Sequence, residues 1–379
     1  MSAYAIIARA WGADVTGWDK VETPYLAGVR AAGISVEVAA EPTLPGGEVE
    51  RYVSTAFVSR IEGRPRAELL AELVSLRRSI VVAGAHGKTT TAAMIAFCLD
   101  RLGLDPAFIV GGEIPQLGGN ARAGAGWLVV EGDESDRSVE ALRPEIGVLL
   151  NVDLDHHTTF ASRAEVEELF ERWLARIPQV VRAEELEPVE LELALAGEHN
   201  CRNAAAALAA LELAGVARAD AERVVVEFRG TGRRFELRGE AAGVRVYDDY
   251  GHHPAEVAAT LSAARSEAGD GRLAVLFQPH LYSRTRYLAR EFAVALAAAD
   301  VVAVSEIYAA REEPVAGVSG KLVVDALAEI RPGMPLAWMP TLEGGVRFLA
   351  THLRAGDLVL TLGAGDVEKA GPMLLERLT

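Results

Sequence analysis

The sequence predicts an α/β protein with more than one doubly wound unit. Short apolar strands alternate with Ala/Leu-rich helical stretches along almost all of the 379 residues, the pattern from which parallel sheets are built. The alternation breaks at Phe228-Arg-Gly-Thr-Gly232 and then restarts, which marks a second doubly wound unit. Nearly every strand expected after residue 79 ends in a dense polar cluster. Ordinary loops do not require such clusters, whereas one composite site does.

In order along the chain, residues 1–17 read as a helix and then a strand from Asp14 to Gly17. Val53 to Phe57 reads as a strand and Arg66 to Arg77 as a helix. Ser79-Ile-Val-Val-Ala83 is a short buried strand, followed by a glycine loop and a helix from Thr89 to Leu102. Trp127–Val130 and Ile146–Leu150 are further buried strands, and 163–176 and 199–214 are helices. Beyond the break come a strand at Val244–Tyr247, a helix over 254–268, a strand at Leu273–Phe277 and a helix over 286–298. A strand at Val301–Ser305, a helix over 320–330, a strand at Leu358–Leu362 and a terminal helix complete the pattern. The expected domains are 1–78, 79–228 and 229–379.

Composition excludes several classes of function. Half of the residues are apolar and 24% are charged, which rules out a disordered chain. Lys+Arg 38 against Asp+Glu 54 gives a net charge of −16, and a nucleic-acid binder needs a basic surface instead. A local pocket for a small anion remains compatible with that balance. No segment approaches the ~18 apolar residues of a membrane span. Two cysteines, Cys98 and Cys201, are too few for a disulfide framework. With a first segment that lacks a basic leader region, they predict a cytoplasmic protein. Lysine is scarce: Lys20, Lys88, Lys321 and Lys369 are the only ones.

The sharpest motif is Gly84-Ala85-His86-Gly87-Lys88-Thr89-Thr90-Thr91, between an expected strand and an expected helix. Glycines let backbone N–H groups converge on phosphate oxygens, the helix start adds partial positive charge, Lys88 reaches the outer phosphates and the Thr89 hydroxyl can ligate Mg²⁺. The standard phosphate-loop pattern has one more glycine, where this chain has Val82. Glu131-Gly-Asp-Glu-Ser-Asp136 puts carboxylates at the end of a buried strand, suited to a hard cation or to a helix start. Asp153-Leu-Asp155-His156-His157 reads either as metal ligands or as a solvated turn. Asn200 and Asn203 open an Ala-rich helix, where asparagine also caps well. Gly230-Thr-Gly-Arg-Arg-Phe235 sets two arginines beside glycines, a phosphate contact or a basic hinge. Asp248-Asp-Tyr-Gly-His-His-Pro254 and Gln278-Pro-His-Leu-Tyr-Ser-Arg-Thr-Arg286 end two strands of the last domain.

Together these strings resemble the Mur ligase family. GAHGKTTT, EGDESD, NVDLDHH, GEHNCRNAAAA, GTGRRFE, DDYGHHPAE, LFQPHLYSRTR and TLGAGD occur in the family's order from residue 79 onward. DDYGHHP and FQPHLYSRT point to its alanine-adding members. The resemblance implies a truncated Rossmann-like N-terminal domain for a UDP-sugar, a P-loop ATPase-like central domain and a Rossmann-like C-terminal domain. It implies ATP and Mg²⁺ as cofactors and UDP-N-acetylmuramate and L-alanine as substrates, with no nucleic acid and no membrane as partner. It also implies phosphate contacts from residues 84–90, with Lys88 foremost, and Thr89 and Glu131 on Mg²⁺. His156 would serve a second metal. Asn200 and Asn203 would reach the adenine side, Arg234 and Asp249 would complete the nucleotide pocket, and His280 and Arg284 would face the amino acid.

The implied chemistry has two steps: the muramoyl carboxylate takes the γ-phosphate to give an acyl phosphate, and the amine of L-alanine then displaces phosphate. No lysine lies between Lys88 and Lys321, so a carbamylated lysine of the kind used by sister ligases has no counterpart there. Three departures accompany the match. Relatives begin with a strand and a GxGGxGMS loop, and Met1-Ser2-Ala3 aligns with the end of that motif. The expectation is therefore either a start assigned downstream of the true one or weak binding of the UDP-sugar. Only about forty residues separate His156 from His199, which predicts the loss of peripheral strands from the central domain. Leu281 stands where the family usually has arginine. A non-catalytic nucleotide- or precursor-binding relative, and a ligase acting on recycled muropeptide, are the competing readings.

Overall fold

The computed structural model describes every residue except 24, 44–45, 155–158, 196 and 311. The chain forms two compact units. The first comprises Met1–Asp153, Ser162–Leu195 and Asn200–Arg229; the second comprises Gly230–Thr379 with the short pieces Leu154–Ala161 and Ala196–His199.

The first unit opens with helix α1 (Ser2–Ala10), strand β1 (Thr16–Asp19), helix α2 (Tyr25–Ala31) and strand β2 (Ser35–Val38). β1 and β2 pair in parallel. Strands β3 (Tyr52–Val53) and β4 (Arg64–Pro65) form a second parallel pair ahead of helix α3 (Arg66–Ser75). The strand expected over Val53–Phe57 shrinks to its first residue. The Ser54 carbonyl accepts from the N–H groups of Phe57 (2.9 Å) and Val58 (3.1 Å), which turns the chain instead of extending it.

Next come β5 (Ser79–Ala83), α4 (Lys88–Arg101), β6 (Ala107–Ile114), β7 (Gly119–Arg122), β8 (Leu128–Glu131) and β9 (Ile146–Leu149). They are followed by α5 (Arg163–Leu174), β10 (Gln179–Arg182), α6 (Glu198–Leu213) and α7 (Arg218–Val225). Among the described residues, six strands form one sheet in the order β10-β9-β5-β8-β6-β7. β7 pairs antiparallel with β6, and the other pairs are parallel. All five residues of β5 are buried, as expected of a central parallel strand covered on both faces, which explains its unbroken apolar run. α4 is buried from Thr90 to Leu99, and Phe97 packs on Phe228 with ring centroids 5.6 Å apart.

The second unit contains β11 (Glu236–Ala241), β12 (Val244–Asp249), α8 (Pro254–Ala268), β13 (Leu273–Phe277), α9 (Tyr282–Leu296) and β14 (Val301–Val304). It continues with α10 (Lys321–Ile330), β15 (Leu336–Trp338), α11 (Leu342–Ala350), β16 (Leu358–Leu362) and α12 (Ala370–Leu378). Among the described residues, the strand order is β11-β12-β16-β13-β14-β15. β11 runs antiparallel to β12, and the remaining pairs are parallel. β16, the last of these strands in chain order, therefore lies between β12 and β13. α8 starts at Pro254, and the Glu256 side chain reaches back to accept from the N–H groups of His252 (3.0 Å) and His253 (3.3 Å). α9 begins at Tyr282, four residues ahead of the expected 286, because Leu281 adopts φ +69° and turns the chain straight into the helix. Arg284 consequently lies in the first turn of α9 and is buried. No described helix is long and apolar enough to cross a membrane.

Candidate active site

The glycine loop joins β5 to α4 at the carboxyl end of the first sheet, where open α/β sheets take ligands. Gly84 has φ +131°, and a Cβ there would lie 2.9 Å from the Asn151 carbonyl oxygen. Gly87, the N-cap of α4, has φ +85°, and a Cβ there would lie 2.5 Å from Asn203 Oδ1. Both positions thus exclude side chains on conformational and steric grounds. The Ala85 N–H donates to the Asn151 carbonyl (3.2 Å). The His86 N–H donates to Asn151 Oδ1 (2.9 Å), and Asn151 Nδ2 donates back to the His86 carbonyl (3.0 Å).

Lys88 Nζ donates to the carbonyls of Gly84 (2.6 Å) and Ala85 (3.2 Å) and lies 3.1 Å from Glu134 Oε2. Burial alone would lower the Lys88 ammonium, but the carboxylates of Glu134, Asp133 and Glu131 outweigh it and hold the group above its ordinary value. For Asp133, burial would raise the carboxyl, yet hydrogen bonds from Ser135 and the charges of Lys88 and Arg66 hold it below the usual range. Arg66 also reaches Asp136 at 3.2 Å. The acidic cluster is therefore divided. Asp133 and Glu134 serve cationic partners, while Glu131 turns elsewhere.

Glu131 Oε2 accepts from the Thr89 hydroxyl at 3.0 Å, and its Oε1 accepts from the Gly111 N–H. A Cβ on Gly111 would lie 3.2 Å from both Glu131 Oε1 and Thr89 Oγ1, so the bare glycine leaves space beside this pair. A threonine hydroxyl and a carboxylate are the hard oxygen donors that magnesium prefers. Thr90 is buried within α4. Asn200 and Asn203 are buried in α6, where Asn203 Nδ2 donates to Asn200 Oδ1 (3.3 Å) and Asn203 lies against Gly87 of the loop. His156 lies outside the described residues. Its neighbour Asp153 sits 3.6 Å from His86 Nε2.

In the second unit Asp249 ends β12 and is buried. Its carboxylate accepts from the N–H groups of Phe235 (2.8 Å) and Gly251 (2.7 Å) and from the Thr260 hydroxyl (3.1 Å). Burial pushes this carboxyl up, against the Arg234 charge and the two N–H bonds. The two arginines of the glycine-rich hinge part company. Arg233 donates to Asp248 Oδ2 (2.9 Å) and to the carbonyls of Gly363 (2.7 Å) and Gly365 (3.2 Å), bonds that anchor it within the second unit. Arg234 lies over the Tyr250 ring at 5.4 Å and reaches Glu256 at 3.7 Å. Arg284 Nη1 donates to His280 Nδ1 at 3.1 Å. A guanidinium only donates, so Nδ1 is the acceptor and the His280 proton resides on Nε2. Tyr308 stacks on the His280 ring at 6.0 Å between centroids.

Residues 82–183 match the model of the Mur ligase middle domain, and residues 233–365 match that of the Mur ligase, glutamate ligase domain. A curated protein of Rubrobacter xylanophilus named UDP-N-acetylmuramate–L-alanine ligase is 39% identical over 435 residues, covering 100% of this chain and 97% of its own length. The chain belongs to the Mur ligase family. Mur ligases are ATP-dependent ligases and generally require magnesium. The protein of that name from Streptomyces coelicolor is 38% identical over 446 residues, covering 100% of this chain and 95% of its own. Those alignments are longer than the 379 residues of this Mur ligase, so the relatives carry internal segments that it lacks. The crystal structure of UDP-N-acetylmuramate-alanine ligase from Thermotoga maritima superposes with a TM-score of 0.78 at 25% identity, covering 100% of this chain and 96% of that one. A pseudomurein peptide ligase type C from Methanothermus fervidus shares the fold, with a TM-score of 0.69 at 16% identity and coverage of 100% and 97%.

Sequence reasoning passed over three residues of this Mur ligase. Glu134 was part of an undivided acidic string, Arg233 was indistinguishable from Arg234, and Asn151 was merely the first letter of its motif. For Asn151, a polar side chain directly after a buried strand was the available signal.

Proposed function

We propose that this Mur ligase joins L-alanine to UDP-N-acetylmuramate at the expense of ATP, in peptidoglycan precursor synthesis. The observation that carries the reading is the convergence of Lys88, Thr89 and Glu131 at one sheet end, in a chain 35–39% identical from end to end to ligases of that name. The expected domains, 1–78 for the UDP-sugar, 79–228 for the nucleotide and 229–379 for ligation, are part of the proposal.

In this reading Thr89 and Glu131 would hold magnesium, which would supply neutralisation of phosphate charge at the site of carboxylate attack. Lys88 shifts from the loop carbonyls onto the outer phosphates. The first-turn N–H groups of α4 have no acceptor within the helix and meet the remaining phosphate oxygens. His156 would serve a second metal. Arg284 and the His280 Nε2–H are donors, so they orient anionic groups on the amino-acid side. Asp249 fixes the backbone around Arg234, which supports a role for both residues in nucleotide binding. Asn203, packed at Gly87 and bonded to Asn200, braces the loop, and both asparagines lie toward the adenine side in this reading.

The test is ADP formation by the purified chain. ADP should appear only when ATP, Mg²⁺, UDP-N-acetylmuramate and L-alanine are all present, and Lys88→Ala should abolish it. ATP binding without turnover under any amino acid would favour a non-catalytic role. Turnover of UDP-free muropeptide would favour a recycling ligase. Either result overturns the reading.

A further inference from the structure

The Asn151 side chain and the His86 peptide form a closed two-bond pair. The His86 N–H donates to Oδ1 at 2.9 Å, and Nδ2 donates to the His86 carbonyl at 3.0 Å. The reciprocal pattern fixes which amide atom is oxygen, since the other orientation would set two donors and two acceptors face to face. The backbone completes the clamp. Leu150 N–H donates to the Ala83 carbonyl (3.0 Å) and Ala85 N–H to the Asn151 carbonyl (3.2 Å). The parallel ladder of β5 and β9 thus continues beyond both strands into the glycine loop. Gly84, which has no room for a Cβ against the Asn151 backbone, permits this approach.

We propose that Asn151 is a positioning residue for the nucleotide: it occupies the N–H groups of Ala85 and His86 and the His86 carbonyl, so that the phosphates are taken by the second half of the loop. With the N–H groups of Ala85 and His86 committed, the N–H groups from Gly87 to Thr90, at the start of α4, are the donors of the second half of the loop that face an anion. Lys88 stands among them. The division holds the loop rigid before nucleotide arrives and directs its phosphates to the side on which Thr89 and Glu131 lie. The proposal rests on the reading that this loop binds ATP.

Two experiments on the full chain test it. Residue-resolved hydrogen exchange on the wild type should find the Ala85 and His86 amides slow without ligand and unchanged by Mg·ADP, while the amides of 87–90 slow on addition. A fast His86 amide that becomes protected only with Mg·ADP overturns the proposal. In steady-state kinetics, Asn151→Ala should raise the KM for ATP about tenfold, while the KM values for UDP-N-acetylmuramate and L-alanine stay within about twofold and kcat falls less. An unchanged ATP KM, or an equal rise in all three, overturns it. The ligand-free exchange of His86 does not depend on turnover. A chain that neither binds Mg·ADP nor forms ADP would defeat the ligase reading, and the clamp would still be judged by that exchange.

Discussion

Lys88 Nζ lies 3.1 Å from the carboxylate of Glu134, a residue only 2% exposed. The lysine proposed to meet the phosphates thus rests on a buried acid. Taking away one member of such a pair strands the other charge in a poor solvent for it, at a cost of about 3–5 kcal/mol.

Lys88→Ala is therefore expected to lower stability as well as to abolish ADP formation, and a loss of activity alone would understate the change. In the double variant Lys88→Ala/Glu134→Gln, the melting temperature should recover while activity stays absent. Thermal melts of the two variants check this. The folded-state pKa of Lys88 is raised above 10.5, so the pair's contribution is complete below that pH and is lost as pH rises through the raised value. Stability across the neutral range should not depend on it.

Glu131→Gln keeps the shape beside Thr89 and removes the charge. The Mg²⁺ concentration giving half-maximal ADP formation is expected to rise at least about tenfold, with the fold retained by circular dichroism. An unchanged metal titration would remove Glu131 from the magnesium site.

His199 carries a pH dependence. Burial first, and then the Arg234 charge, hold its pKa below 6.5. The unfolded chain takes up this proton at higher pH than the folded one, so stability grows as pH rises through the window ending at 6.5 and falls on acidification. Replacement by glutamine should flatten the fall in melting temperature between about pH 7 and pH 5.

Asp249 accepts three hydrogen bonds inside the second unit. Asp249→Ala leaves two N–H groups and a hydroxyl without their acceptor, and each is worth about 1 kcal/mol or more. Urea unfolding should show a loss of about 3 kcal/mol, and ADP formation should fall with it because Arg234 loses the backbone that carries it.

β5, β13 and β16 are buried on both faces, their apolar runs carry one polar residue at most, and they match their expected bounds residue for residue. The β6–β7 hairpin escaped because Gly111 and Gly112 interrupt its apolar pattern. The start of α9 escaped because the left-handed turn at Leu281 leaves no mark in residue type. In the site, Lys88 and Thr89 were legible from local spacing, since one loop and one helix start define them. Asn151 and Arg233 were not. The role of Asn151 depends on β9 lying beside β5, and that of Arg233 on the carbonyls of Gly363 and Gly365, 130 and 132 residues away.

The placement of β16 between β12 and β13 has a consequence for biogenesis. The middle of the second sheet is filled by the strand synthesised last of its six. Until that strand emerges from the ribosome, β12 and β13 have no neighbour on their facing edges, and open edges invite pairing with other chains. Arg233, near the start of the unit, also waits for the carbonyls of Gly363 and Gly365. The centre of the second sheet is thus completed only once β16 has been made, and a premature stop ahead of Leu358 would leave a gap at its centre instead of a frayed edge.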